Sequence, residues 1–544
     1  MERGDLKKTA AYLEFACELV NLEFVRHPED NVPLFLIADV GAMAPILASI
    51  QDHGAPAAPI YRLGVQRDVS LRTLPAMAMA MLRVMTGLLS PAFPVRIIGV
   101  GQYALLAYEI GVQCLASDKA LGFVGVMEAP TGYAEVDQCT AFHGDPICPS
   151  LELALQEYEV DPMPFDLHEF SAHVHSSESS KFWTKTVRSD RLHQWRFDGA
   201  GGPNANAVMS FGAQLARALQ ASVPASPVGR AGVDYFPLMP IQSGIFRARP
   251  YLCIPGAGAS VIDFVPFAGA VGVEHDVFGM QPRGMHENFV PHGSVEEAAN
   301  AYVYEIERLH RQIPLHLVGH SFGGWVAFEV ALRLRALGRE VLSLTLLDSE
   351  APTISTLVGH EYTRAEALAV LVCLYEQAAD QSLGLRREDF EGVSASGQLT
   401  LLHRQLVRVG LLPRITTPKQ LQGTVRCFLA ALRTRYCPSM RLDIPVYLVW
   451  ARHADDSSGG AALQLSVNAQ AWRLHAPLLR CRSEASSHVT LLKMPHIASV
   501  AQWLHSLHVL AGHEMPISIP AGHSPSFIAV SETVMSARLS NAPQ

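Results

Sequence analysis

The five residues Gly319-His320-Ser321-Phe322-Gly323 constrain this chain more than any other stretch, because they place a serine where two readable elements meet. Upstream, Leu315-His316-Leu317-Val318 is a short apolar run of the kind a buried strand makes. Downstream, Trp325 to Leu337 carries apolar residues at helical spacing until Gly338 stops it. The flanking glycines let the backbone turn sharply with no Cβ in the way, so the serine hydroxyl projects above the sheet at the positive end of a helix. Taken alone, the five residues could be a glycine-rich turn without chemistry. With a strand before and a helix after, they read as the turn that presents a nucleophile.

A serine is a poor nucleophile without a base, and the base needs an acid to orient it. Val341 to Leu347 reads as the next strand, and Asp348 stands at its C-terminal end, the edge of the sheet from which Ser321 also emerges. Far downstream, His488 lies in Ser486-Ser487-His488-Val489-Thr490-Leu491-Leu492, a polar loop running into an apolar segment, where a base could hang over the serine. Rival acids are Asp455 and Asp456, which follow the later strand Ile444 to Trp450 but also read as part of a polar loop. Asp348 is preferred because its strand is unambiguous. Among other histidines, His320 adjoins the nucleophile and is expected to point away from it, while His453, His475 and His496 read as loop or surface residues.

Taken together, these stretches resemble the thioesterase domains that release products from nonribosomal peptide and polyketide synthases, members of the α/β-hydrolase superfamily. The resemblance runs from about Asp234 to about Leu510. Tyr251-Leu252-Cys253-Ile254-Pro255-Gly256-Ala257-Gly258-Ala259 is similar to the first core strand and oxyanion loop of that family, and Gly319 to Glu329 to its elbow and helix. Leu346-Leu347-Asp348-Ser349 fills the position of its acid, 27 residues after the serine, and Ser487 to Leu492 resembles its histidine loop. One departure is Ser486-Ser487, where the family often has Gly-Asp.

The resemblance implies an α/β-hydrolase fold with a helical lid, a Ser321–Asp348–His488 triad, and backbone N–H groups of Ala257 and Phe322 as oxyanion donors, each supplying about 3 kcal/mol. It further implies an acyl or peptidyl substrate on the phosphopantetheine of a carrier protein, no cofactor bound by the chain itself, and release by hydrolysis or macrocyclisation. A lipase or carboxylesterase would use the same triad on oxygen esters, and a carrier-protein-binding scaffold would keep the fold with dispensable chemistry. The 140 positions between Asp348 and His488 exceed what a core sheet needs. Pro352 to Pro438 is mostly helical in pattern, clearest over Tyr362 to Gln377 and Thr416 to Arg435, so a lid over about 353–437 is expected. A helical layer on one sheet face is the plainer alternative.

Ala221 to Gly232 reads as a linker, assigned to 221–233, so residues 1–220 need their own account. They echo the second half. Pro33 to Ala42 parallels Pro250 to Ala259, and Gly99 to Glu109 parallels Gly319 to Glu329 without a gap. In that register Gly101 replaces the nucleophile and Ala38-Asp39-Val40 the oxyanion loop; Glu128 stands near the place of the acid, and Asp198 to Gly202, near the place of the base, holds no histidine. The expected organisation is a degenerate thioesterase-like domain over 1–220 serving as a binding or packing module, a catalytic domain over 234–512, and a flexible tail over 513–544. The bland alternative for the first part is a generic β-α-β sheet.

Composition limits the partners. Two good cores fit in 544 residues, and 49% hydrophobic with 17% charged residues excludes a disordered chain. The net charge of −9 without a basic block makes nucleic acid an unexpected partner. Nine cysteines without CxxC spacing, and an N-terminus without the apolar stretch of a signal peptide, point to a reducing cytoplasm and no structural metal. The most hydrophobic segment, Leu74 to Leu89, carries Arg83 and is too short to span a bilayer.

Overall fold

Largely apolar runs, whose few polar residues are buried with the rest, become the central strands of two sheets covered by helices on both faces. The computed structural model describes residues 20–24, 32–38, 59–65, 71–89, 93–127, 148–161, 163–172, 182–184, 187–197, 205–222, 235–245, 248–309, 313–353, 361–452 and 460–512. The first sheet contains β1 (Val20–Phe24), β2 (Leu34–Ile37), β3 (Ile60–Val65), β4 (Val95–Val100), β5 (Leu121–Met127), β6 (Leu167–Ala172) and β7 (Leu192–Phe197). The second contains β8 (Leu238–Gln242), β9 (Ala248–Ile254), β10 (His275–Met280), β11 (Leu315–His320), β12 (Val341–Leu347), β13 (Val446–Arg452) and β14 (Leu479–Ala485). Every residue of β5, β11 and β12 is buried.

The first sheet is ordered β1-β3-β2-β4-β5-β6-β7 and the second β8-β10-β9-β11-β12-β13-β14. Each strand of one matches the strand seven places later in the other. In both, the first strand pairs antiparallel with its neighbour and the rest run parallel. The protein is therefore an α/β-hydrolase fold preceded by a second sheet of the same topology, as the internal echo suggested.

The helices that matter here are α1 (Leu74–Leu88), α2 (Ala104–Ala116), α3 (Pro149–Gln156) and α4 (Ala205–Ala221) in the first half. In the second are α5 (Val265–Val271), α6 (Val295–Leu309), α7 (Phe322–Ala336), α8 (Arg364–Ala379), α9 (Ala395–Arg408), α10 (Gln422–Arg433), α11 (Gly460–Arg473) and α12 (His496–Leu510). The apolar segment with Arg83 is α1, and among the described residues no helix is long and apolar enough to cross a membrane.

Two details mark the halves as copies. Gly101 takes φ +59°, as Ser321 takes +54°, so the elbow backbone survives where the serine is gone. In each half a glutamate on the elbow helix accepts a hydrogen bond from a tyrosine ahead of the sixth strand: Glu109 from Tyr158 at 2.5 Å, and Glu329 from Tyr436 at 2.9 Å. Asp39, Val40, Glu128, Asp198 to Gly202, the linker from 223 and the tail from 513 lie outside the described residues.

Residues Met1–Ala501 form one compact unit and Gln502–Gln544 another, with α12 beginning in the first and ending in the second. Within the first unit the two sheets meet through buried polar contacts. Arg283 donates to the Leu115 carbonyl at 3.0 Å, to Asp118 at 2.5 Å and to the Val290 carbonyl at 2.7 Å, placing a cation at the C-terminal end of α2. Gly293 N–H donates to the Ala116 carbonyl at 2.9 Å, and Val290 packs into the N-terminal core. Among its described residues the insertion after β12 forms three α-helices, α8 to α10, and the amphipathic α9 lies outside the two clearest helical stretches of the sequence pattern. They share an apolar core of Leu368, Phe390, Leu402, Leu406, Val425 and Phe428.

Candidate active site

Ser321 joins β11 to α7 with φ +54° and ψ −127°, a conformation that a non-glycine residue holds only when its surroundings force it. Those surroundings are specific. A Cβ on Gly319 would clash with the Gly323 carbonyl, and one on Gly323 with the Ile254 carbonyl, so both glycines are needed for close backbone approach. Ser321 N–H donates to the Leu347 carbonyl at 2.8 Å, tying the elbow to the end of β12.

Asp348 follows that strand with φ +46°. Its Oδ1 accepts from Ala451 N–H at 2.8 Å, and its Oδ2 lies 2.7 Å from His488 Nδ1. A carboxylate accepts, so Nδ1 carries the hydrogen and Nε2 is left as the unprotonated nitrogen. The chain after Asp348 is anchored through the Ser349 carbonyl, which receives Trp472 Nε1 at 3.0 Å and Asn468 Nδ2 at 3.1 Å. Of the serine pair that departs from the family pattern, Ser487 has a structural task. Ser487 and Thr490 bond reciprocally, Ser487 N–H to Thr490 Oγ1 at 2.8 Å and Thr490 N–H to Ser487 Oγ at 3.2 Å, closing the turn that carries His488.

Ser321, Asp348, His488, Ala257 and Phe322 all line one cavity of about 1140 Å³, roofed by Leu371 and Tyr375 of α8 and by Phe428 and Leu432 of α10. The rival residues behave differently. His475 sits 6.5 Å from the Phe328 ring and His496 3.7 Å from Glu484, and neither lines the cavity. His453, Asp455 and Asp456 lie outside the described residues. Among the described residues no group of three or more His, Cys, Asp or Glu side chains could hold a metal ion.

His320 does not point away from the site. Its ring lies 4.8 Å from that of His488, and its Nε2 donates to the His488 main-chain carbonyl at 3.0 Å. Burial, and then the neighbouring His488 charge, push its pKa down to about 4, so the ring stays neutral beside His488. An acceptor on the main chain leaves no mark in the sequence, which is why this contact is not legible there.

Residues 249–501 match the thioesterase domain family. Indigoidine synthase of Streptomyces lavendulae is 30% identical over 123 residues, 23% of this chain and 10% of that protein. The nonribosomal peptide synthetase btyA of Aspergillus terreus is 35% identical over 107 residues, 20% of this chain and 11% of that protein. The matches thus span about a tenth of those relatives' length. Among solved structures, the type II thioesterase BorB from the borrelidin biosynthetic cluster is 22% identical, with a TM-score of 0.35, covering 51% of this chain and 96% of that one. The matched residues contain Ser321, Asp348 and His488 alike.

Proposed function

We propose that the thioesterase domain releases an acyl or peptidyl chain from the phosphopantetheine of a carrier protein through an ester on Ser321, in the assembly of a natural product. The observation that carries this reading is the 2.7 Å contact of His488 Nδ1 with Asp348 in the cavity that Ser321 lines. His488 Nε2 takes the Ser321 proton as Oγ attacks the thioester carbonyl. Asp348 holds the tautomer and stabilises the imidazolium, with Ala451 N–H fixing the second carboxylate oxygen. The N–H groups of Ala257 and Phe322 receive the oxyanion. Collapse expels the pantetheine thiolate, which takes the proton from His488; water or a nucleophile within the chain then attacks the acyl-serine, its proton passing to His488, and Ser321 is reprotonated as it leaves. Relatives that include a nonribosomal peptide synthetase favour this substrate class.

Intact-protein mass spectrometry after exposure to a panel of acyl-pantetheine thioesters tests the reading. A mass increment of one acyl group, lost in Ser321→Ala, is expected. Labelling by oxygen esters alone would point to a lipase or carboxylesterase.

A further inference from the structure

Helix α10 has two occupied faces. Thr424, Phe428 and Ala431 line the catalytic cavity, while Gln422 and Arg426, about half a helical turn away, look toward the first half of the chain. On the cavity side the helix presses on the loop that carries Ala257. A Cβ on Gly258, which has φ +66°, would lie 2.7 Å from the Thr424 carbonyl and 2.9 Å from Phe428 Cβ, and Ala257 packs against the lid core. A displacement of α10 therefore displaces the loop.

What holds the other face is Asp161. Arg426 donates from Nε to Asp161 Oδ2 at 2.7 Å and from Nη2 to Oδ1 at 3.5 Å, and Gln422 Nε2 donates to Oδ1 at 3.0 Å. Both charged side chains are nearly inaccessible, 3% exposed for Arg426 and 10% for Asp161. Burial disfavours the Asp161 charge, but Arg426, Arg364 and these hydrogen bonds hold its carboxyl below the usual range. Asp161 is itself fixed by the degenerate elbow helix: Tyr108 on α2 donates to the Asp161 carbonyl at 2.9 Å and accepts from Met163 N–H at 3.0 Å.

We propose that Asp161, in the half that has lost its nucleophile, is a positioning residue for the thioesterase site, setting the oxyanion loop at Ala257 through Arg426, Gln422 and α10. The copy without chemistry is thus part of the catalytic geometry of the other. This rests on the reading of Ser321 and Ala257 given above.

The test uses the full-length chain with Asp161→Asn, Asp161→Glu and Gln422→Leu, and kcat expressed per active site titrated with a fluorophosphonate. Unfolding lowers the number of titratable sites but leaves kcat per site unchanged. Misplacement of the loop lowers kcat per site. For Asp161→Asn we expect about a tenfold or larger fall in kcat per site on a small acyl-pantetheine thioester, with KM within about twofold and partial recovery in Asp161→Glu. Gln422→Leu keeps the ion pair, so the fold is expected to survive, and about a threefold fall is expected there. Hydrogen exchange at residues 256–260 should quicken in Asp161→Asn, a readout independent of turnover. Unchanged kcat per site in both Asp161→Asn and Gln422→Leu, with unchanged exchange at 256–260, would overturn the proposal. Absence of Ser321 labelling in the unmodified protein would instead overturn the reading of the active site.

Discussion

His320 Nε2 donates to the main-chain carbonyl of His488 across 3.0 Å, so the residue before Ser321 holds the backbone of His488. Side chain and main chain are thereby tied across two ends of the fold. His320→Ala removes the donor and frees the His488 turn to shift, and a fall in kcat of about ten- to hundredfold is expected from misplacement of this order. His320→Gln keeps an N–H of similar reach and should lose less. Equal losses in the two variants, measured on the same acyl thioester, would exclude a role for this hydrogen bond.

The same histidine makes stability depend on acid. Its pKa of about 4 in the folded protein lies below the value of about 6.5 expected in the unfolded chain. The unfolded state therefore binds more protons as the pH falls. The stabilisation is complete above about pH 6.5 and is lost progressively toward about pH 4. His168, pushed down to about 3 chiefly by burial, and His292, lowered for the same main reason, act in the same direction, so the informative quantity is a difference. Thermal melts of His320→Gln should lose less stability than the unmodified protein between those pH values; parallel curves would show that His320 does not titrate.

Asp348→Asn should reduce turnover about 10⁴-fold, because an amide in place of Oδ2 no longer enforces the Nδ1–H tautomer or offsets the imidazolium charge. The backbone contact from Ala451 can persist in this variant, so the loss reports on the charge and tautomer rather than on a collapsed loop. Asp455→Asn should cost far less. A reversal of the two effects in steady-state kinetics would move the acid to the later strand.

The central strands and the elbow helix were legible because a strand covered on both faces is a largely apolar run. Val341–Leu347 is β12 to the residue, and Leu315–Val318 lies inside β11. The doubling was legible through the gapless match of Gly99–Glu109 with Gly319–Glu329, and the structure extends it to strand order. The place of His320 was not legible because its partner is a main-chain carbonyl 168 positions away. The Asp161–Arg426 pair was invisible for a different reason: 265 positions separate the partners, and each reads alone as an ordinary surface charge.

That pair changes what removal of the first half should do. A module kept only for docking would, when deleted, harm the reaction of a carrier-bound chain and spare that of a small thioester. Deletion of residues 1–220 removes Asp161 and Asp118 together with the core that receives Val290, so α10 loses its outer anchor and the Arg283 turn loses its seat. The guanidinium groups of Arg283 and Arg426 would rehydrate in the truncated chain, so stranded charge is not the main cost. Lost apolar burial and the freed position of α10 are. A comparable fall in kcat/KM on an acyl-carrier protein and on the matching small thioester is therefore expected, measured per titrated Ser321. A fall confined to the carrier-bound substrate would return the first half to a docking role and leave the catalytic geometry independent of it.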